Sequence, residues 1–106
     1  MAQFDVHRNL GRHRDNIPFV VVVQSSLFDG YRRRVVVPLV RKGGLGQLPN
    51  ERLNPLFRVK NVIVVLHPLE MVSIANDQLG ERVGSLATNG DAIVGALDEL
   101  LSRAFR

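Results

Sequence analysis

Between Phe19 and Gln24 the chain places four consecutive valines, Val20 to Val23, so the segment has no polar face. Side chains alternate across a strand, and an unbroken β-branched run is therefore apolar on both sides and must be covered twice. At a sheet edge the same run would template aggregation. The chain is thus expected to build a sheet with this strand in its interior and apolar cover on each face. Its length permits that. With 106 residues, 45% hydrophobic and 23% charged, it reads as one globular domain, residues 1–106, able to bury roughly two thirds of its unfolded surface.

The rest of the first two thirds follows a strand pattern. Gln3 to His7 alternates Phe4 and Val6 with polar residues and predicts a half-buried first strand, and the polar, basic stretch Asn9 to Asn16 predicts a loop. Asp29-Gly30 marks a turn, and Arg34 to Leu39 the returning strand of a wide hairpin over residues 19–39, with Pro38 at its end. Arg41 to Asn54, with Gly43, Gly44, Gly46 and Pro49, predicts a long irregular excursion. Phe57 to Val59 and Val62 to Leu66 flank Lys60-Asn61 as a tight hairpin, and Glu70 to Ala75 reads as one more short strand. From Thr88 the period changes. Ile93, Ala96, Leu97, Leu100, Leu101 and Ala104 lay one stripe along a helix, Thr88 and Asp91 stand at capping-box spacing, Asp91 against Arg103 and Arg106 suits the dipole, and Glu99 with Arg103 forms an i,i+4 pair.

Composition removes several chemistries. Without cysteine there are no disulfides, thiolate metal sites or cysteine nucleophiles, which fits a reducing cytoplasm. The N-terminus lacks an apolar signal core and the longest apolar run, Ile17 to Val23, is far short of the roughly 20 residues that span a bilayer, so neither export nor membrane insertion is expected. No cofactor is expected. The histidines at 7, 13 and 67 have no metal-spacing partner and read as surface or turn residues, and none of the serines at 25, 26, 73, 85 and 102 stands in a nucleophile elbow. Lys42 to Gly46 lacks the Gly-Lys-Ser/Thr end of a phosphate cradle and reads as a flexible loop.

A formal charge of +4 leaves room for an acidic partner. Two basic clusters carry it: Arg8, Arg12, His13 and Arg14 in the first loop, and Arg32, Arg33 and Arg34 at the second hairpin. Arginine forks can grip phosphate or carboxylate; a solvated loop and a protected strand edge would use the same residues. With one tyrosine, Tyr31, and no tryptophan, base stacking is poorly served, and sequence-specific nucleic-acid binding is not expected. Leu27 and Phe28 beside the Asp-Gly turn are either a lip over the core or a protein-contact spot.

These residues resemble a family. Gln3-Phe4-Asp5-Val6, Val20 to Ser25, Leu27-Phe28-Asp29, Arg32 to Leu39, Leu53-Asn54-Pro55, Leu79 to Leu86 and the Ile93 to Leu101 helix are similar, in order and spacing, to the CcdB toxins of plasmid toxin–antitoxin systems. The resemblance implies a mainly β (α+β) SH3-like barrel: a five-stranded antiparallel sheet with a smaller sheet inserted, closed by the C-terminal helix. It also implies a non-enzymatic homodimer that binds the A subunit of DNA gyrase, traps it on cleaved DNA and is neutralised by a CcdA-type antitoxin. The gyrase-facing apolar pair falls on Leu27 and Phe28, the polar helix residue on Asp98, and the family's Trp-Gly-Ile terminus on Ser102, Arg103 and Ala104, after which Phe105 offers a ring. The antitoxin-facing loop falls on Arg8, Arg12 and Arg14. Pairing would use Val20 to Val23 and the stripe ending in Leu100, Leu101 and Ala104, more apolar surface than a monomer of this size easily covers. The alternatives are an endoribonuclease like the MazF and Kid toxins, and an interaction module without toxicity.

Overall fold

The computed structural model describes residues 2–44 and 50–102. The valine run forms β2 (Phe19–Val22), which lies between β1 (Asp5–Arg8) and β3 (Arg33–Arg41) with all four of its residues buried. Alternation divides the run between two cores. Phe19, Val21 and Val23 face the main core with Val6, Val37, Leu39, Ile93 and Ala96, whereas Val20 and Val22 join Val36, Ile74 and Leu79 on the other face. Each fully buried valine stabilises the fold by roughly 1.5–3 kcal/mol. Because the protomer covers the run by itself, Val20 to Val23 offers no surface for pairing with a second copy, contrary to the sequence expectation.

Strand β3 divides one of its edges between two partners. Its first half pairs β6 (Val72–Ala75) and its second half pairs β5 (Val62–Leu66), which returns from β4 (Leu56–Val59) through Lys60 and Asn61. Both turn residues have positive φ, as a two-residue hairpin matched to strand twist requires. The result is one seven-stranded antiparallel sheet, in the order β4-β5-β3-β2-β1-β7 with β6 also paired to β3, and not a five-stranded sheet with a separate smaller one. This curled, mainly β architecture with one terminal helix is the SH3-like barrel arrangement that the family resemblance implies.

Pro38 sits inside β3 and does not end it. Its carbonyl accepts from His67 N at 3.1 Å, so this edge of Pro38 faces the gap where β5 leaves off and β6 begins. The missing N–H falls where no neighbouring strand asks for one. Strand β7 (Arg82–Ser85) has no counterpart in the sequence reading: it holds one valine among Arg82, Gly84 and Ser85, and its place is fixed by pairing with β1 across a register shift at Val6/His7.

Helix α1 spans Gly90–Leu101 and buries Ile93 and Ala96 against the main core. The expected capping box does not form. Thr88 lies in a 3₁₀ turn, Ala87–Asn89, that runs into the helix, and the Gly90 N–H, a donor that a Thr88 cap could have served, bonds the Ala87 carbonyl instead. Glycine at the helix start has a steric cause, since a Cβ on Gly90 would come within 2.8 Å of the Phe4 ring. Phe4 itself has φ 71°, held by bonds from its N–H to Val22 O and from Leu86 N–H to its carbonyl. Glu99 lies 3.7 Å from Arg52; Arg103, its expected partner, is outside the described residues.

Gly80 and Gly84 make a contrast that urea denaturation can read. A Cβ on Gly80 would stand 2.5 Å from the Arg8 carbonyl, whereas one on Gly84 meets nothing within 4 Å. Gly80→Ala is expected to cost about 1–3 kcal/mol by overpacking, and Gly84→Ala to change stability by less than about 1 kcal/mol. Equal midpoints for the two variants would contradict the packing described.

Candidate docking site

The β2–β3 hairpin does not close tightly. Its strand pairing ends at Val22 and Val36, and a 3₁₀ turn, Ser26–Phe28, forms the tip. Ser25 Oγ caps this turn by accepting from Leu27 N at 3.2 Å. Leu27 is 87% exposed and Phe28 47% exposed, so neither is a lip over the core. Tyr31, 67% exposed, sets its ring edge-on to that of Phe28 with centroids 5.9 Å apart. Sequence reasoning counted Tyr31 only as a scarce ring; its position three residues after Phe28 was the available signal.

The tip adjoins the start of α1 through two residues. Gln3 donates from its backbone to Ser26 Oγ and from Nε2 to Val23 O, and the next residue, Phe4, lies against Gly90. Asp98 is exposed about 12 Å further along the helix axis from Gly90, where the Ser102 hydroxyl bonds both its backbone and its side chain. It borders a hollow of about 390 Å³ with Glu51, Arg52, Pro55, Gly95 and Glu99. Leu27, Phe28 and Tyr31 thus form one cluster and Asp98 with Ser102 a second. Arg103, Ala104 and Phe105 lie outside the described residues.

The basic residues separate more than the sequence implies. Arg8 is the last residue of β1, not a loop residue; its Nε lies 3.0 Å from Glu81 Oε1, and its guanidinium stands 5.9 Å from the Phe19 ring centre. Arg12 and Arg14 are exposed in the following turn. Arg12 and His13 rim a groove of about 220 Å³ whose floor includes Val20, Val36, Pro38 and Ile74. A second hollow of about 400 Å³ shares Asn9, Gly11 and Ile74 with it and reaches Arg33. In the other cluster Arg32 and Arg33 are exposed, and Arg33 bonds Ser73 Oγ and O at 2.9 and 2.7 Å. Arg34 instead is buried, against the expectation of a solvated strand edge. Strand parity was the missed signal, since Arg34 shares a face with Val36 and Pro38.

His7 is buried and not a surface residue: its Nδ1 donates at 2.9 Å to the carbonyl of Gly80, in the segment that leads into β7. All five serines have structural partners, Ser85 Oγ for example accepting from Ala87 N at 3.1 Å. Among the described residues no group of histidine and carboxylate side chains is placed to hold a metal, and no helix is long and apolar enough to cross a membrane.

The exposed Leu27–Phe28 tip thus stands on a small, curled, mainly β domain of the SH3-like barrel class. Residues 3–102 match the family described as CcdB protein, and the chain belongs to that family. It is thereby a toxin of the toxin–antitoxin type, from a family that acts on gyrase without being a family of catalysts. No individual curated protein matches the chain.

Proposed function

We propose that the protein docks on the A subunit of DNA gyrase through Leu27 and Phe28, with Asp98, Ser102 and the tail residues Arg103, Ala104 and Phe105 completing the contact. The exposed tip carries the reading. Leu27 gives the protomer's own core almost nothing, and a large apolar side chain held out by a capped turn gains its burial only against another protein. Poisoning then needs no chemistry: a toxin that binds the cleaved-DNA state of gyrase more tightly than the resealed state accumulates the cleaved state. In a gyrase cleavage assay the wild type is expected to yield linear plasmid, and Leu27→Asp to need at least tenfold more protein, about 1.4 kcal/mol. Phe105→Ala should lower poisoning, and rebuilding the tail as Trp-Gly-Ile from position 102 should raise it. Undiminished poisoning by Leu27→Asp would sink the docking role, and cleavage of messenger RNA by the pure protein would favour the ribonuclease alternative.

Neutralisation is assigned to an acidic, extended CcdA-type antitoxin segment at Arg8, Arg12 and Arg14. The support is a groove lined by apolar residues with Arg12 and His13, where carboxylates would gain charge-assisted bonds from Arg12; Arg8 and Arg14 are not among its lining residues and are assigned by their place in the chain. Because Arg8 already faces Glu81 at 3.0 Å, Arg12 and Arg14 should carry most of the affinity. Replacing all three by serine is expected to weaken cognate antitoxin binding at least tenfold in calorimetry, about 1.4 kcal/mol, and to flatten its salt dependence. An unchanged titration would reject this site.

The assembly proposed is a homodimer apposed through α1, where Leu101 is 66% exposed and Val94 lies on the surface. Sedimentation at micromolar concentration is expected to give a dimer for the wild type and a monomer for Leu101→Glu. A monomeric wild type would contradict it.

A further inference from the structure

We infer that Arg34, assisted by Gln24, is a positioning residue that locks the docking tip in one preset shape; the consequence for gyrase rests on the reading above. Arg34 is 3% exposed, an uncommon place for a cation, and its guanidinium is spent on the tip. Nη1 donates to the carbonyls of Tyr31 and Arg33, and Nη2 to the carbonyl of Asp29 at 2.6 Å. All three acceptors lie within residues 29–33, the arm that follows Leu27 and Phe28. Gln24 holds the other arm: its Nε2 donates to Phe28 O at 3.2 Å and Arg33 O at 3.3 Å, and its Oε1 accepts from Val35 N at 3.2 Å. That last bond continues the β2–β3 ladder with a side chain where the backbone arms have spread beyond Val23.

A purely structural account fits this arrangement poorly. Arg34 shares its strand face with Val36 and Pro38, and an apolar residue there would fill space without the cost of desolvating a guanidinium. What an apolar residue cannot do is satisfy the carbonyls of Asp29, Tyr31 and Arg33 together. Charge-assisted bonds from one planar fork fix three carbonyls relative to one another, and so fix the turn that points Leu27 and Phe28 outward. A tip already ordered in the free protein does not give up ordering entropy when it docks.

Tyr31 makes the lock observable, because it is the sole tyrosine and the chain has no tryptophan. Time-resolved anisotropy of the free protein therefore reports the tip alone, while calorimetry with a gyrase A fragment reports docking and far-UV circular dichroism confirms the fold. Arg34→Met and Gln24→Ala are each expected to enlarge the fast depolarising component of Tyr31 and to weaken fragment binding at least tenfold, with partial rescue in Arg34→Lys. Adding Leu27→Asp to Arg34→Met should cost far less affinity than it does in the wild type, because the side chain it removes is no longer held in place. Gln24 is only partly buried, so Gln24→Ala decides the matter if Arg34→Met fails to fold. Unchanged Tyr31 depolarisation in a folded variant would overturn the lock, as would a loosened tip that binds as tightly as the wild type. If the wild type does not bind the fragment, the gyrase reading fails, and the Tyr31 signals decide the lock alone.

Discussion

Two-sided burial of β2 is the constraint on which the other elements depend. Val21 needs the helix side and Val20 and Val22 need the opposite side, so one layer cannot satisfy the strand. Helix α1 and the β4–β5 hairpin supply the first cover; β6 and the segment through Leu79 supply the second. The strand that must curl to serve both is β3, which gives its first half to β6 and its second to β5. Pro38 stands at the change of partner, where its missing donor goes unasked for. Beyond Val22 and Val36 the β2–β3 pairing ends, and the exposed tip is built there.

The tip is costly to hold. A segment whose backbone has left the ladder would ordinarily be mobile, and ordering it opposes roughly 1–2 kcal/mol of conformational entropy per residue. Here side chains replace the ladder: Ser25 caps the turn, Gln3 ties it to the helix side, and Gln24 and Arg34 hold its carbonyls. Polar residues that sequence inspection scans for chemistry are thus engaged in geometry. His7 is the same kind of residue, its Nδ1 spent on the Gly80 carbonyl just before β7.

Much of this was legible in the residues, for physical reasons that can be named. The valine run and the period of three and four before Leu101 each admit one kind of element, so the central strand and the terminal helix follow from them. Lys60-Asn61 sits where positive φ is cheap for at least one residue, and the tight hairpin follows. Strand β7 was not legible, because Arg82 to Ser85 carries one apolar residue and is ordered by its partner. Pro38 misled for the converse reason, since tolerance of proline depends on which neighbour is absent. Of the site, Leu27 and Phe28 were visible as apolar residues where burial is difficult. Tyr31, Gln24 and Arg34 were not, as their roles depend on where the tip carbonyls point.

The β2–β3 tip is the docking surface proposed for gyrase, and the groove beside Arg12 is a separate one. Amide and methyl NMR of the labelled protein titrated with a gyrase A fragment tests that division directly. It predicts broadening or shifts centred on Leu27, Phe28 and Tyr31 and extending to Asp98, with Arg12, His13 and Ile74 little affected. Perturbations centred on Asn9 to Arg14 and Ile74, with Leu27 and Phe28 unmoved, would contradict it.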